Sequence, residues 1–359
     1  MAIVKFGDIV RDVKNNVDRA NNPYEFYVAG DHMDSEDLNI RRRGRFATDD
    51  VGPAFVRIFE PGQILYGSRR TYLKKVAVAD FSGICANTTF VLESKDPKVF
   101  EQKLLPFLML SNAFTEWSIS KSKGSTNPYV LFSDLAGFEF NLPSIDEQKV
   151  LAEKLWAAYE VKQSYLKMID ATDEMVKAQF MKMFDFKDLN LLSPSNDFEI
   201  KCFDDTSNST KIPASDYQDK GLHAIFDQSQ DNYIAGYTNL EEGLCKNIPA
   251  VLFGDHSRVI KYIDEPFFIG ADGVKIIRPK DKSLLPEFLY YDLKYHNIPN
   301  TGYNRHFKYI KMICLTKASL DEQNIFVTIA HQADKSKVEL RKSVDAIDKV
   351  IKSLINENL

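Results

Sequence analysis

From Leu151 onward, apolar residues return at alternating steps of four and three: Leu155, Ala158, then Tyr165, Ile169, Val176 and Met183. Lys162, Thr172 and Gln179 fill the remaining steps. A second run does the same through Phe326, Ala330, Ala333, Leu340, Val344, Ile347, Ile351 and Leu354, with Lys337 and Asn358 in the polar places. Seven and eight of ten seam positions are apolar, enough to predict two long helices with coiled-coil seams. Lys162 and Lys337 interrupt the seams at equivalent places, and a polar residue in a seam often sets register. Neither glycine nor proline occurs between Glu147 and Leu192 or between Thr316 and Leu359, so each helix has room for about 35 residues, or about 50 Å.

Both helices open on one motif. Ser144-Ile145-Asp146-Glu147-Gln148 returns 175 positions later as Ser319-Leu320-Asp321-Glu322-Gln323. Serine at the cap with acidic residues in the first turn suits a helix N-terminus. At the same offset Asp170 meets Asp345, Asp173 meets Asp348 and Lys177 meets Lys352. The preceding segments correspond as well. Leu65-Tyr66-Gly67 resembles Leu252-Phe253-Gly254, and each is followed sixteen residues later by another glycine, Gly83 or Gly270. Leu105-Pro106-Phe107-Leu108 and Leu285-Pro286-Glu287-Phe288 each open a predicted helix, and Gly124-Ser125-Thr126-Asn127 and Gly302-Tyr303-Asn304-Arg305 then read as loops. Ile64–Tyr66, Phe90–Leu92, Val251–Phe253 and Val274–Ile277 read as strands. The chain is therefore read as an internal repeat: 1–143 a mixed α/β domain, 144–190 a helix, 191–317 a second domain, 318–359 a second helix.

At 359 residues the chain is long enough for two domains, with the composition of a globular protein. The start lacks the basic-then-apolar pattern of a signal peptide, and no apolar run is long enough to span a membrane, so a cytoplasmic protein is expected. Cys85, Cys202, Cys245 and Cys314 lack paired spacing and are expected to be free thiols. The net charge of -5 does not advertise nucleic acid. Residues 1–145 are neutral overall and 196–316 carry about three excess negative charges, so any anion-binding surface must be local.

Catalytic chemistry finds little support. Asn22-Pro23-Tyr24 and Asn127-Pro128-Tyr129 lack the second proline of a methyltransferase tetrapeptide and read as turns. No glycine is followed by lysine, which excludes a phosphate-cradling ATPase loop. A nuclease built from Asp134 with Glu147, Gln148 and Lys149 is disfavoured because Asn324 replaces the lysine in the second copy. The six histidines show no helical metal-ligand pair. The chain is expected to be non-catalytic, with no metal and no cofactor of its own.

The layout of domain, Ser-x-Asp-Glu-Gln helix start and long helix, given twice, resembles the specificity subunits of type I restriction–modification systems. The resemblance covers essentially the whole chain, although many members carry part of the repeated region ahead of the first domain. It implies an α+β fold of two target recognition domains alternating with helices packed as an antiparallel coiled coil, in a pseudo-two-fold repeat. It further implies recognition of a bipartite asymmetric site in double-stranded DNA, with the helices setting the gap between half-sites. The implied partners are two methyltransferase subunits and restriction/translocase subunits, which would hold S-adenosylmethionine, ATP and Mg. Alternatives are the same role in a methylation-only or phage-exclusion system, or a duplicated protein–protein adaptor.

Phosphates attract Arg and Lys, and base edges are read by Arg, Lys, Asn, Gln, Ser and Thr. In the first domain the candidates are Arg41, Arg42 and Arg43 with Arg45, then Arg69 and Arg70 with Lys74 and Lys75, then Lys121, Lys123, Ser125 and Asn127. In the second they are His256 and Arg258 with Lys261, and Tyr303, Asn304, Arg305 and His306 with Lys308. Any one of these alone would read as solvated surface charge. Matching clusters in both copies strengthen the set.

Overall fold

A computed structural model describes residues 2–185, 197–230, 232–270 and 273–359. The chain forms two compact units, Met1–Leu166 with Arg341–Leu359 and Lys167–Leu340, so each long helix contributes to both. Residues 186–196, where the sequence places the end of the first helix and the start of the second domain, lie outside the described residues.

In the first unit an antiparallel sheet runs Val10–Asp12, Thr89–Ser94, Ile64–Gly67, Val76–Val78. A second sheet runs Gly44–Arg45, Phe26–Val28, Gly83–Ala86, Phe55–Phe59. Successive side chains of a strand point to opposite faces. Thus Ile64, Tyr66, Phe90 and Leu92 pack against the helical layer with Leu105, Phe107 and Phe114, while Leu65, Ala77 and Val91 pack against Val28, Phe59 and Cys85 of the second sheet. Burial on both faces explains why the central strands read as continuous apolar runs rather than as alternation.

The second unit is built likewise. One antiparallel sheet runs Cys202–Asp204, Val274–Pro279, Ala250–Gly254, Ile260–Ile263. Val251, Phe253 and Ile277 face helices, whereas Ala250, Leu252 and Ile276 face Ala224, Phe226, Phe267 and Ile269 of the other sheet. That sheet runs Lys211–Ile212, Phe267–Gly270, His223–Phe226, Gly236–Thr238. Its edge strand Lys211–Ile212 is parallel to its neighbour, whereas Phe55–Phe59 in the first unit is antiparallel. The two units therefore differ in where one edge strand comes from.

The long helices are Ile145–Met183 and Leu320–Asn358. Ser144 and Glu147 form a reciprocal cap: Ser144 N–H and Oγ–H donate to Glu147 Oε2, both at 2.8 Å, and Glu147 N–H returns to Ser144 Oγ. Ser319 and Glu322 repeat it, also at 2.8 Å. In the first unit Leu151, Leu155 and Tyr159 share a core with Ile351 and Ile355; in the second Val176 and Phe180 share one with Phe326, Val327, Ala330 and Ala333. Within each unit the helices run antiparallel, as the contacts Lys162–Asp348, Lys337–Asp173 and Phe180–Phe326 require. Burial of Tyr159, Phe180, Val327 and Ile355 beside the predicted seam widens the apolar stripe, because each helix packs on its domain as well as on its partner helix.

Candidate nucleic-acid interface

At the end of the first unit's central strand, Ser68 closes on the next strand, donating its N–H to Thr88 O at 3.1 Å. Arg69 and Arg70 then leave the sheet, and Arg70 adopts a left-handed conformation (φ 49°). A distant loop docks here. Arg70 N–H donates to Pro128 O at 2.7 Å, and Val130 N–H donates to Ser68 O at 3.0 Å. Lys123 and Tyr129 exchange backbone hydrogen bonds of 2.8 and 2.9 Å, pinching residues 124–128 into a tip whose turn uses Gly124 at φ +89°. Two clusters 50 residues apart in sequence are thereby joined. Arg69, Arg70, Ser125 and Asn127 are exposed and, among the described residues, make no side-chain hydrogen bond or ion pair. Lys121 lies over the Trp117 ring, 4.4 Å from its centre, and Lys123 pairs with Asp134 at 2.8 Å. That pairing, then the hydrogen bond from Leu131 N–H, keeps the Asp134 carboxyl below its ordinary range despite some burial.

The second unit makes the corresponding construction at Gly254. A Cβ there would lie 2.8 Å from Gln228 Cβ, so only glycine permits this approach. Asp255 O accepts the His306 N–H at 2.8 Å, as Ser68 O accepts Val130 N–H. Asp255 Oδ1 also accepts Phe307 N–H at 2.7 Å. His306 is wholly buried; its Nε2 accepts Thr301 N–H, leaving Nδ1 to donate to Asp255 O at 2.9 Å. The loop so held presents Tyr303, Asn304 and Arg305 to solvent. Tyr303 is 88% exposed and stacks on His256, with ring centres 4.7 Å apart and planes 10° apart.

Several expected contacts take other roles. His306 is a strut and not a surface donor, because its ring is enclosed by the loop it holds. Lys261 is 3% exposed and donates to the carbonyls of Asn232 and Tyr233. Arg258, in the left-handed region at φ 64°, donates to Ile298 O at 3.1 Å and so braces the loop's approach. Arg41 binds Asp37 and Gln163, Arg42 binds Asp34, and Arg43 lies 3.9 Å over the Phe26 ring. Arg45 pairs with Glu25. A run of arginines in sequence is thus largely neutralised by its own domain's carboxylates. Asn304 turns its amide back to Thr301 O.

Tyr72, 53% exposed, follows Arg70 closely in the chain, and Tyr129, 40% exposed, meets Lys123 through their backbone hydrogen bonds; neither is among the sequence candidates. An aromatic next to paired arginines was the available signal. Gln228, which accepts His256 N–H at 3.1 Å, had none. The carboxylates a nuclease would need are engaged elsewhere, Asp134 with Lys123 and Glu147 in the helix cap. Among the described residues no group of three or more metal-ligating side chains converges, and no helix is long and apolar enough to cross a membrane.

Residues 13–164 match the family described as type I restriction modification DNA specificity domain. Over that stretch, which is under half of the chain, the protein is similar to the DNA specificity domains of type I restriction–modification systems. A curated relative, the type I restriction enzyme EcoDI specificity subunit of Escherichia coli, is 26% identical over 155 residues, which is 43% of this chain and 33% of that protein. The aligned stretch therefore spans about a third of the relative's length. Among solved structures, a chain from a study of complex assembly and conformational transition of the type I R-M system superposes with TM-score 0.54 at 20% identity, covering 100% of this chain and 98% of that one. The S subunit from M. genitalium gives 0.49 at 15% identity, covering 98% and 95%. The first of these likenesses establishes the mixed α/β fold with its long helix.

Proposed function

We propose that this chain reads a bipartite, asymmetric site in double-stranded DNA, one half-site per unit, for a type I restriction–modification complex in the cytoplasm. The observation that carries the reading is the repeated construction: in both units a polar loop is hydrogen-bonded onto the end of the central strand, exposing basic and hydrogen-bonding side chains at one place. Arg69, Arg70 and Lys121 would meet phosphates or guanine edges in one half-site, and Arg305 in the other. The long helices would form an antiparallel coiled coil in an internally duplicated chain; matching caps and matching ion pairs support this. Charges along the first helix nearly cancel, seven acidic against six basic over residues 146–184, which suits protein partners better than phosphate. Two methyltransferase subunits and the restriction/translocase subunits would dock there and supply S-adenosylmethionine, ATP and Mg.

The test is selection of duplexes from a random-sequence pool by the full chain, at several salt concentrations. The expected result is two specified blocks around an unspecified gap, with affinity falling steeply as salt rises. Arg69→Ala with Arg70→Ala should relax one block and Arg305→Ala the other. Simultaneous loss of both blocks in either variant would overturn independent reading by the two units.

A further inference from the structure

We propose that Tyr303 enters the base stack of the half-site read by the second unit, as an aromatic wedge pre-positioned on His256. The proposal rests on the DNA-reading role above and assigns this residue a particular task within it. An exposed tyrosine is commonplace on a flexible surface. Tyr303 differs because both its backbone and its ring are held. The loop that bears it is fixed by the buried His306, by Asp255 and by the Arg258–Ile298 brace, and it turns at Gly302 with φ +76°. One face of the ring lies flat on the imidazole, while the residue as a whole stays 88% exposed.

His256 is itself set into a notch. Its N–H is bound by Gln228, and a Cβ added at Gly273 would come within 2.8 Å of its ring. The ring's outer face is thus a rigid planar surface beside the exposed cation Arg305. Planar π-surfaces of this kind stack on nucleobases regardless of sequence, and wedges beside basic residues partly unstack a base step. Because the ring is already ordered, little of the stacking energy is spent on immobilising it. The first unit has no counterpart: opposite Tyr303 in the repeated loop stands Ser125, and among the described residues no stacked ring pair lies there. The wedge belongs to one half-site only.

The experiment uses the full chain and a duplex it has selected, with 2-aminopurine or pyrrolo-cytosine placed at each base pair in turn. Wild type and Tyr303→Phe should brighten the probe at one step in one half-site, since the ring and not the hydroxyl is required. Tyr303→Ala should leave that probe at free-duplex brightness and weaken binding on the order of tenfold. Binding with every probe still stacked, or the same step unstacked by Tyr303→Ala, would overturn the wedge while leaving the DNA reading intact. Failure of the wild-type chain to select any duplex would overturn the DNA reading itself, and the wedge with it.

Discussion

Lys162 Nζ lies 2.6 Å from Asp348 Oδ1 in the first unit, and its counterpart Lys337 lies 2.6 Å from Asp173 in the second. Lysine and aspartate each recur at the 175-residue offset, so one antiparallel pairing register is written into the chain twice. The lysines are the polar interruptions that fall at equivalent places in the two seams, and each finds a carboxylate on the facing helix. Lys337 also reaches Asp334 at 2.8 Å; burial would lower its pKa, but these two carboxylates outweigh that and raise it.

Reversing one member tests the register. Lys162→Asp sets two carboxylates together in a half-buried place and should cost the first unit about 2 kcal/mol. Adding Asp348→Lys should recover most of it in denaturant unfolding. Equal stability of the single and double variants would show that the pair does not hold the register.

Gln148 should matter more than its exposure to mutation scanning by charge would suggest. It is wholly buried, accepts the Glu101 N–H at 2.9 Å and donates to Val99 O and Pro143 O. Gln323 repeats this with Leu285 N–H, Ser283 O and Ala318 O. Gln148→Leu should cost about 2–3 kcal/mol by leaving buried backbone groups unpaired. Hydrogen exchange should speed up at the Glu101 amide, and in Gln323→Leu at the Leu285 amide instead.

The helix caps carry a pH dependence. Glu147, held by the Ser144 hydroxyl and then its N–H, and Glu322, held by the Ser319 N–H and then its hydroxyl, both titrate below the ordinary 4.5. A depressed folded pKa means the stabilisation is complete above 4.5 and is lost as pH falls through the lower folded value. Glu147→Gln with Glu322→Gln should flatten the melting temperature's dependence on pH below about 4.5. An unchanged profile would exclude the caps as its source.

Arg70 separates folding from binding. Its left-handed backbone disfavours any side chain with a Cβ, whereas glycine adopts it freely. Arg70→Gly should leave thermal stability unchanged or raise it by up to about 1 kcal/mol, and should weaken DNA binding with a shallower salt dependence. A variant that binds as wild type would remove Arg70 from the interface.

What the sequence by itself determined is whatever depends on local order and period. The two helices, their Ser–Glu caps, the strands at Ile64 and Val251, and the correspondence of the Gly67 and Gly254 regions are all legible there, because caps and periodicity act over a few residues. It also showed that Lys162 and Lys337 are equivalent, though not what they meet. Only the tertiary structure decided which cations are free. Arg41 and Arg42 looked as available as Arg69 and Arg70, yet Asp37 and Asp34 fold back on them, while among the described residues no carboxylate reaches the other pair. It buried His306 beneath the loop that His306 resembled a part of, and it laid Tyr303 on His256 across 47 residues of chain. The helix-start glutamine shows the same division: its place in the motif is local, but its partners Glu101 and Leu285 lie in the domains. Charge and hydrogen-bonding capacity are properties of a residue; whether they remain for a ligand depends on which distant groups the fold brings within about 3 Å.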